Sequence, residues 1–444
     1  MSDEVDSDAG PLVVCKENPR YFSRADGRPV YLTGSHTWAT LHDRMLEETP
    51  VFDYSAWLDF MERHNHNFLR LWAWEQATGM QFTHRVVKYG PNRYKRTGPG
   101  VARDGGPKFD LTQFNDDFYD RLRSRVVAAG KRGIYVGVML FQGFSLDKRG
   151  KRDHGRNAFD GHPMNAANNV NGIDGDPDGS GTGHQVHTLD VPEITALQEA
   201  FVRRTIDTLN DQDHVLWEIS NESHEGSVAW HYHMIDLIHA YERTKPNQHP
   251  VGMTGAPIKN PPMQESPAEW ISPVGKAYRS DPPEGDGRKV VIFDTDHSGP
   301  FDPNPKCPWR CFTRGLNFIA MDNYMDARYG SPPEPDPEWD AIRRQMGYTR
   351  SYSERMDLRT AVPNGELAST GFCLASPGTA YLVYLPDGGR ATVDLTAASG
   401  DLAVEWLNPA DGKTVRDGRA EGGGSLAFEA PFDGDAVLFL SSVR

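Results

Sequence analysis

Cysteine is scarce: the 444 residues hold four, at Cys15, Cys307, Cys311 and Cys373. Only Cys307 and Cys311 lie close, across Pro308-Trp309-Arg310, which permits one small disulfide loop but no disulfide framework. No histidine stands beside that pair at metal spacing, so nothing points to zinc. No apolar run approaches the ~20 residues of a membrane span. Residues 1–10 are acidic and lack the apolar core of a signal peptide. These absences lead us to expect a cytoplasmic protein, the alternative being a secreted one whose signal is missing from this sequence. Positive charge is in deficit, with 47 Lys and Arg against 62 Asp and Glu and a net charge of −15, which speaks against a nucleic-acid partner. Internal repeats and long linkers are absent too. What is present describes a loop-rich globular chain: 43 Gly, 32 Pro, 38% hydrophobic residues, 10 Trp, 16 Tyr and 20 Phe. The length suits a barrel plus a small module.

The chain is organised around residues 214–224. An apolar run from His214 to Ile219 ends in Ser220, Asn221 and Glu222, as a buried strand of a parallel sheet would. Leu216, Glu218, Ser220 and Glu222 share one face by alternation, with Glu222 outermost. A carboxylate at the C-terminal mouth of a barrel strand sits where barrel enzymes keep catalytic groups. Asn221 beside it suits a substrate hydroxyl. The plain alternative is a strand end whose Glu pairs with an Arg.

Seven further strands are expected, with starts near 30, 67, 134, 250, 269, 289 and 316. Helices are expected over 53–64, 115–131, 192–209 and 228–243. Asp26-Gly27 marks a hairpin between residues 12–24 and 29–34, and the second strand exits at His36 and Trp38. Arg70 lies inside the apolar run 67–75, where a buried Arg needs a carboxylate partner; Trp72, Trp74 and Glu75 extend that run to the mouth. Residues 76–113 read as a long loop with basic side chains at Arg85, Lys88, Arg93, Lys95, Arg96 and Arg103, either shaping a pocket or solvated. Gln142 follows the third strand. Asp174 to Gly179 resembles the first half of a calcium loop, but position twelve is Gln185 rather than Glu, which leaves a plain acidic turn as the alternative. The run 289–293 ends in Asp294, Asp296 and His297, and the last run exits at Tyr324. From about residue 356 helix signals stop and short alternating strands begin, over 380–385, 391–395, 403–407, 425–429 and 436–440. The expected architecture is therefore α/β: a (β/α)8 TIM barrel over 12–355, then a small antiparallel β-sandwich over 356–444.

Four stretches together resemble the apiosidase-like glycoside hydrolase family: Asn18 to Phe22 with Tyr31 to Trp38, residues 67–72, residues 215–222, and Asp294-Thr295-Asp296-His297. Ser376-Pro377-Gly378, residues 381–386 and Glu405 to Pro409 resemble the β-domain, named for collagen binding, that follows such barrels. The resemblance implies a glycosidase of the retaining (β/α)8 clan. Glu222 would be the acid/base and a seventh-strand carboxylate the nucleophile. Asp294 is the register match and Asp296 lies one pleat further out; sequence leaves both open. Arg70 would hold the nucleophile. His36, Trp38, Trp72, Trp74, Gln142, Asn221, His297 and Tyr324 would contact substrate. The clan has Glu where this chain has Asp, and the shorter side chain would sit farther from the anomeric carbon. The expected activity is exo-acting cleavage of glycan side chains, apiosidase- or arabinofuranosidase-like, on an oligo- or polysaccharide, without cofactor or metal. The alternative is a non-catalytic carbohydrate-binding protein on a barrel scaffold. An adhesion protein would rest on the β-domain's name alone.

Overall fold

The computed structural model describes residues 10–45, 51–79, 87–146, 157–299, 302–324 and 336–443. Eight strands close into a parallel barrel: β1 (Thr33–His36), β2 (Phe68–Leu71), β3 (Tyr135–Gln142), β4 (Val215–Asn221), β5 (Val251–Thr254), β6 (Trp270–Ser272), β7 (Val290–Asp294) and β8 (Asn317–Met321). Every residue of these strands is buried, which is why they read as continuous runs rather than alternating ones. A helix follows each strand: α1 (Tyr54–Arg63), α2 (Asp116–Gly130), α3 (Pro192–Leu209), α4 (Val228–Glu242), α5 (Asn260–Glu265), α6 (Ala277–Ser280), α7 (Cys307–Thr313) and α8 (Pro337–Ser353). Asp53 caps α1 through the Ala56 N–H at 2.9 Å, and Pro192 opens α3, as their sequences suggest. No helix among the described residues is long and apolar enough to cross a membrane.

The N-terminal hairpin differs in detail. Val13–Val14, Phe22–Ser23 and Pro29–Val30 form a small antiparallel sheet, and the chain breaks at Tyr31-Leu32 before β1 begins. Leu12, Phe22, Val30 and Leu32 then pack with Phe68, Leu216, Trp270 and Ile292 at the base of the barrel.

Residues 87–113 form paired strands rather than a loop. Lys88–Gly90 pairs with Asp43–Met45, and Tyr94–Val101 pairs with Pro107–Phe114 around Asp104-Gly105. The cations are matched locally: Lys95 with Asp116, Arg96 with Asp104, Arg103 with Asp160. Arg85 lies outside the described residues. Between β3 and α3, asparagines do the work of regular structure. Asn168 Nδ2 donates to Asp160 O and His162 O, and Asn169 Nδ2 to Pro163 O and Ile173 O. Asp176 caps the Gly181 and Gly183 N–H groups and Asp178 takes the Ser180 N–H, so the acidic run closes on its own backbone. All four cysteines are free and buried; Cys307 and Cys311 sit one turn apart on α7, so the disulfide loop that sequence permits is not formed.

The C-terminal part is antiparallel. Six strands pair in the order Val362–Pro363, Cys373–Ser376, Ala380–Leu385, Ala436–Ser442, Asp401–Leu407, Thr414–Glu421, and a two-stranded ribbon, Arg390–Asp394 with Ser425–Glu429, packs over one face. Tyr381, Val383 and Leu438 point into that sandwich. Leu382, Tyr384, Val437 and Phe439 point the other way, onto Trp309, Phe312 and Tyr352 of α7 and α8.

Candidate active site

A guanidinium buried among apolar strand residues must be paired, and Arg70 is. Its Nε lies 2.9 Å from Glu218 Oε2, its Nη1 2.6 Å from Asp294 Oδ2, and its Nη2 2.9 Å from Asn221 Oδ1. β2, β4 and β7 are thus tied together through one side chain. His36 Nε2 donates to the same Asp294 carboxylate, 2.8 Å from Oδ2. The Asp296 N–H donates to Asp294 Oδ1 at 2.9 Å. Burial alone would raise the Asp294 pKa, but His36 and Arg70 outweigh it and hold the carboxyl well below the usual range. Asp294 is fully buried, and both its oxygens are engaged.

Asp294 ends β7 and caps a single 3-10 turn, Thr295–His297. That turn carries Asp296 out toward β4. One carboxylate oxygen each from Glu222 and Asp296 and a ring nitrogen of His297 lie within 4.8 Å of one another. Glu222 is 6% exposed, and the Asp296 side chain 15%. Glu222 has φ +49°, in the left-handed region that non-glycine residues seldom adopt. Its direction is therefore set by a turn and not by the strand's alternation. Room for that turn comes from Gly143, where a Cβ would stand 2.1 Å from the Glu222 carbonyl oxygen.

Glu222, Asp296 and His297 form the one potential metal-binding group among the described residues. The fit is poor, because both nitrogens of His297 are already in hydrogen bonds: Nε2 at 2.9 Å from Asn221 Oδ1, Nδ1 at 3.1 Å from Ser272 Oγ. What stands ready is a pair of carboxylates.

The residues expected to contact substrate fall into three groups. Asn221, His297 and Gln142 brace the carboxylates from behind, with Asn221 Nδ2 donating to Gln142 Oε1 at 3.2 Å. His36 is buried and stacks on Trp72 at 5.1 Å, so it orients Asp294 rather than lining an open surface. Trp72 and Trp74 are buried too; Trp74 Nε1 donates to the Trp38 carbonyl at 2.9 Å, and Trp38, half-buried, is the one ring of the three that reaches solvent. Tyr324 stands apart, packed on Trp57 at 4.9 Å and Phe60 at 4.8 Å of α1.

Two charged groups carry more than the sequence reading gave them. Glu218 grips Arg70 inside the barrel; its shared face with Glu222, two pleats deeper, was the available signal. Glu75 is buried at the mouth, its Oε1 accepting from the Gln142 N–H and from His187 Nε2, both at 2.9 Å, with Arg93 and His162 beside Oε2. Burial opposes its ionisation, but Arg93 and His187 hold its pKa well below the usual value. These partners come from insertions far apart in sequence, which no local pattern connects.

The family model described as "Domain of unknown function (DUF6298)" matches residues 88–257, a stretch that includes Glu222 but not Asp294 or Asp296. The model described as "Putative collagen-binding domain of a collagenase" matches residues 364–441. No curated protein matches the chain. Among solved structures, one described as a glycoside hydrolase aligns with TM-score 0.62 at 14% identity, covering 98% of this chain and 97% of its own. A family 5 glycoside hydrolase from Bacteroides vulgatus aligns with TM-score 0.63 at 14% identity, covering 99% of this chain and 94% of its own. The likeness shows a shared (β/α)8 fold, aligned over nearly the full length of this chain and of both others.

Proposed function

We propose that the protein is a retaining glycoside hydrolase in which Glu222 is the acid/base and Asp296 the nucleophile. The observation that carries this is the facing of Glu222 and Asp296 within 4.8 Å, while both oxygens of Asp294 are taken by Arg70, His36 and the Asp296 N–H. Retaining enzymes hold their carboxyl groups about 5–5.5 Å apart, and inverting ones about 6.5–9.5 Å apart to admit a water. In the first step Glu222 protonates the glycosidic oxygen as Asp296 attacks the anomeric carbon, giving a glycosyl ester and the free leaving group. In the second, Glu222 takes a proton from water, which attacks the same carbon and releases Asp296. Asp294 is the anchor of the 3-10 turn: it fixes the backbone of the nucleophile through the Asp296 N–H. The seat of the nucleophile thereby moves two residues past the register match, which offsets the shorter reach of Asp against Glu.

The substrate is proposed to be the end of a glycan side chain, such as an apiofuranosyl or arabinofuranosyl unit. Two insertions wall the β2–β4 side of the mouth, where Phe109 and Asn169 form a β-bridge between them. A wall there suits a chain end better than a continuous polymer, and the part-open Trp38 offers a stacking face.

Aryl-glycosides of these furanoses and of common pyranoses identify a cleaved substrate first. On it, Asp296→Ala abolishes turnover, and azide restores it with inverted product. Asp294→Ala is destabilised and is not rescued by azide. Azide rescue of Asp294→Ala in its place would exchange the two roles. Full activity in both variants and in Glu222→Gln would remove the site, and retained sugar binding without any hydrolysis in the parent would favour the binding-protein alternative.

A further inference from the structure

We propose that His187, held by Glu75, is a positioning residue for Glu222: a hydrogen-bond chain outside the carboxylate pair locks the turn on which the acid/base sits. The proposal rests on the reading of Glu222 given above.

The chain runs from one buried charge to the backbone of that turn. Glu75 Oε1 lies 2.9 Å from His187 Nε2, His187 Nδ1 lies 3.2 Å from Ser223 Oγ, and Ser223 Oγ donates to Ser220 Oγ at 2.7 Å. Ser220 Oγ in turn donates to the Asn221 carbonyl at 3.3 Å. The Glu75 carboxylate can only accept, so His187 Nε2 donates to it, and Nδ1 carries the link on to Ser223. The ring thus bridges a buried anion to the residue that directly follows Glu222. His187 is fully buried and lies flat on Trp230, ring centroids 4.5 Å apart, so its plane is fixed.

Glu222 needs such a lock. Its left-handed backbone is not one a strand end adopts by default. Gly143 allows the turn on the β3 side, and the Ser223 hydroxyl pins it from the other. The same Glu75 oxygen accepts the N–H of Gln142, whose side chain holds Asn221. One carboxylate thus reaches the residues on either side of Glu222, Ser223 through His187 and Asn221 through Gln142.

The test uses the full chain and a series of aryl-glycosides of the cleaved sugar with graded leaving groups, with kcat taken per folded protein by circular dichroism. A misplaced acid hurts poor leaving groups and spares activated ones. A merely structural residue lowers all of them by one factor. Ser223→Ala, the mild variant, and His187→Ala should lower kcat on the poorest leaving groups by about 10- to 100-fold, with little change on the best ones and KM within about twofold of the parent. His187→Asn, whose amide nitrogen stands where Nδ1 was, should restore the parent's dependence in large part. His187→Gln keeps only the Glu75 bond and should not. A uniform loss across the series in Ser223→Ala and His187→Ala, with Glu222→Gln still steep, overturns the positioning role and leaves the acid in place. A flat series for Glu222→Gln overturns the acid assignment, and this proposal with it.

Discussion

Arg70 illustrates what a single residue discloses. Its presence in an apolar strand demanded a carboxylate, and the structure supplies two, Glu218 and Asp294. That demand was legible because an unpaired buried charge is not tolerated. Which seventh-strand Asp does what was not legible, because alternation stops where β7 gives way to a 3-10 turn. Glu222 escaped the alternation rule for the same reason, through its positive φ. The buried carboxylates also set an acid limit. Asp294 and Glu75 have folded-state pKa values below the unfolded ones. Their contribution is complete above the unfolded values, about 4 for both types, and is lost as pH falls from there toward the folded values. The melting temperature should therefore be insensitive to these two groups above about pH 5 and drop below about pH 4. Arg70→Met should cost about 3–5 kcal/mol at neutral pH, since it leaves two carboxylates buried without their cation. A denaturant midpoint unchanged in that variant would show that the pairs add nothing.

At the scale of elements, the eight strand starts stood out because β1 to β8 are buried on both faces, so their hydrophobic runs are unbroken. The long helices α1 to α4 showed through caps and starts such as Asp53 and Pro192, whereas α8, seventeen residues long, went unread. Short helices α5, α6 and α7 did not show either; at four to seven residues they are too brief to show a period. The hairpin Tyr94–Phe114 was hidden by its charge, because its cations are balanced by partners that lie mostly outside it, Asp116 and Asp160 among them. Where two elements touch most closely, the structure makes a sharp demand. The first residue after β3 must be glycine, because a Cβ on Gly143 would meet the Glu222 backbone at 2.1 Å. Gly143→Ala should destabilise by about 1–3 kcal/mol and lower kcat more than KM, as β4's end is pushed from the Asp296 turn. Parent kinetics in that variant would mean that the Glu222 turn moves without consequence.

For the whole molecule, the break near residue 356 was visible as a change from helical to alternating patterns, but the attachment was not. Alternation marks two faces; it does not say that both are covered. Leu382 and Tyr384 meet the helices of the barrel, while Tyr381 and Val383 fill the sandwich. Tyr352 of α8 also donates to Glu405 at 2.8 Å, and Gln345 Nε2 to the Pro409 carbonyl at 2.6 Å. The two parts should therefore melt together, in one calorimetric transition. A chain ending at 355 should lose solubility, with Trp309, Phe312 and Tyr352 laid bare. Leu382→Ala should cost about 2–5 kcal/mol and lower that single transition without splitting it. A truncated barrel that stays monodisperse by light scattering, with the parent's melting temperature, would count against the shared core.

A sheet roofed on one side by a ribbon and floored on the other by helices has no open plane left. A rod-like ligand such as a triple helix has nowhere to lie across strands Ala380–Leu385 and Ala436–Ser442. The backbone still on offer is the margin, strand Thr414–Glu421, exposed at all but one of its residues. Recognition by the C-terminal module has that rim, its turns and the outer face of the ribbon to use, where Arg390, Thr392, Ser425 and Glu429 are exposed, and its architecture makes it a buttress for α7 and α8 before it is a hand.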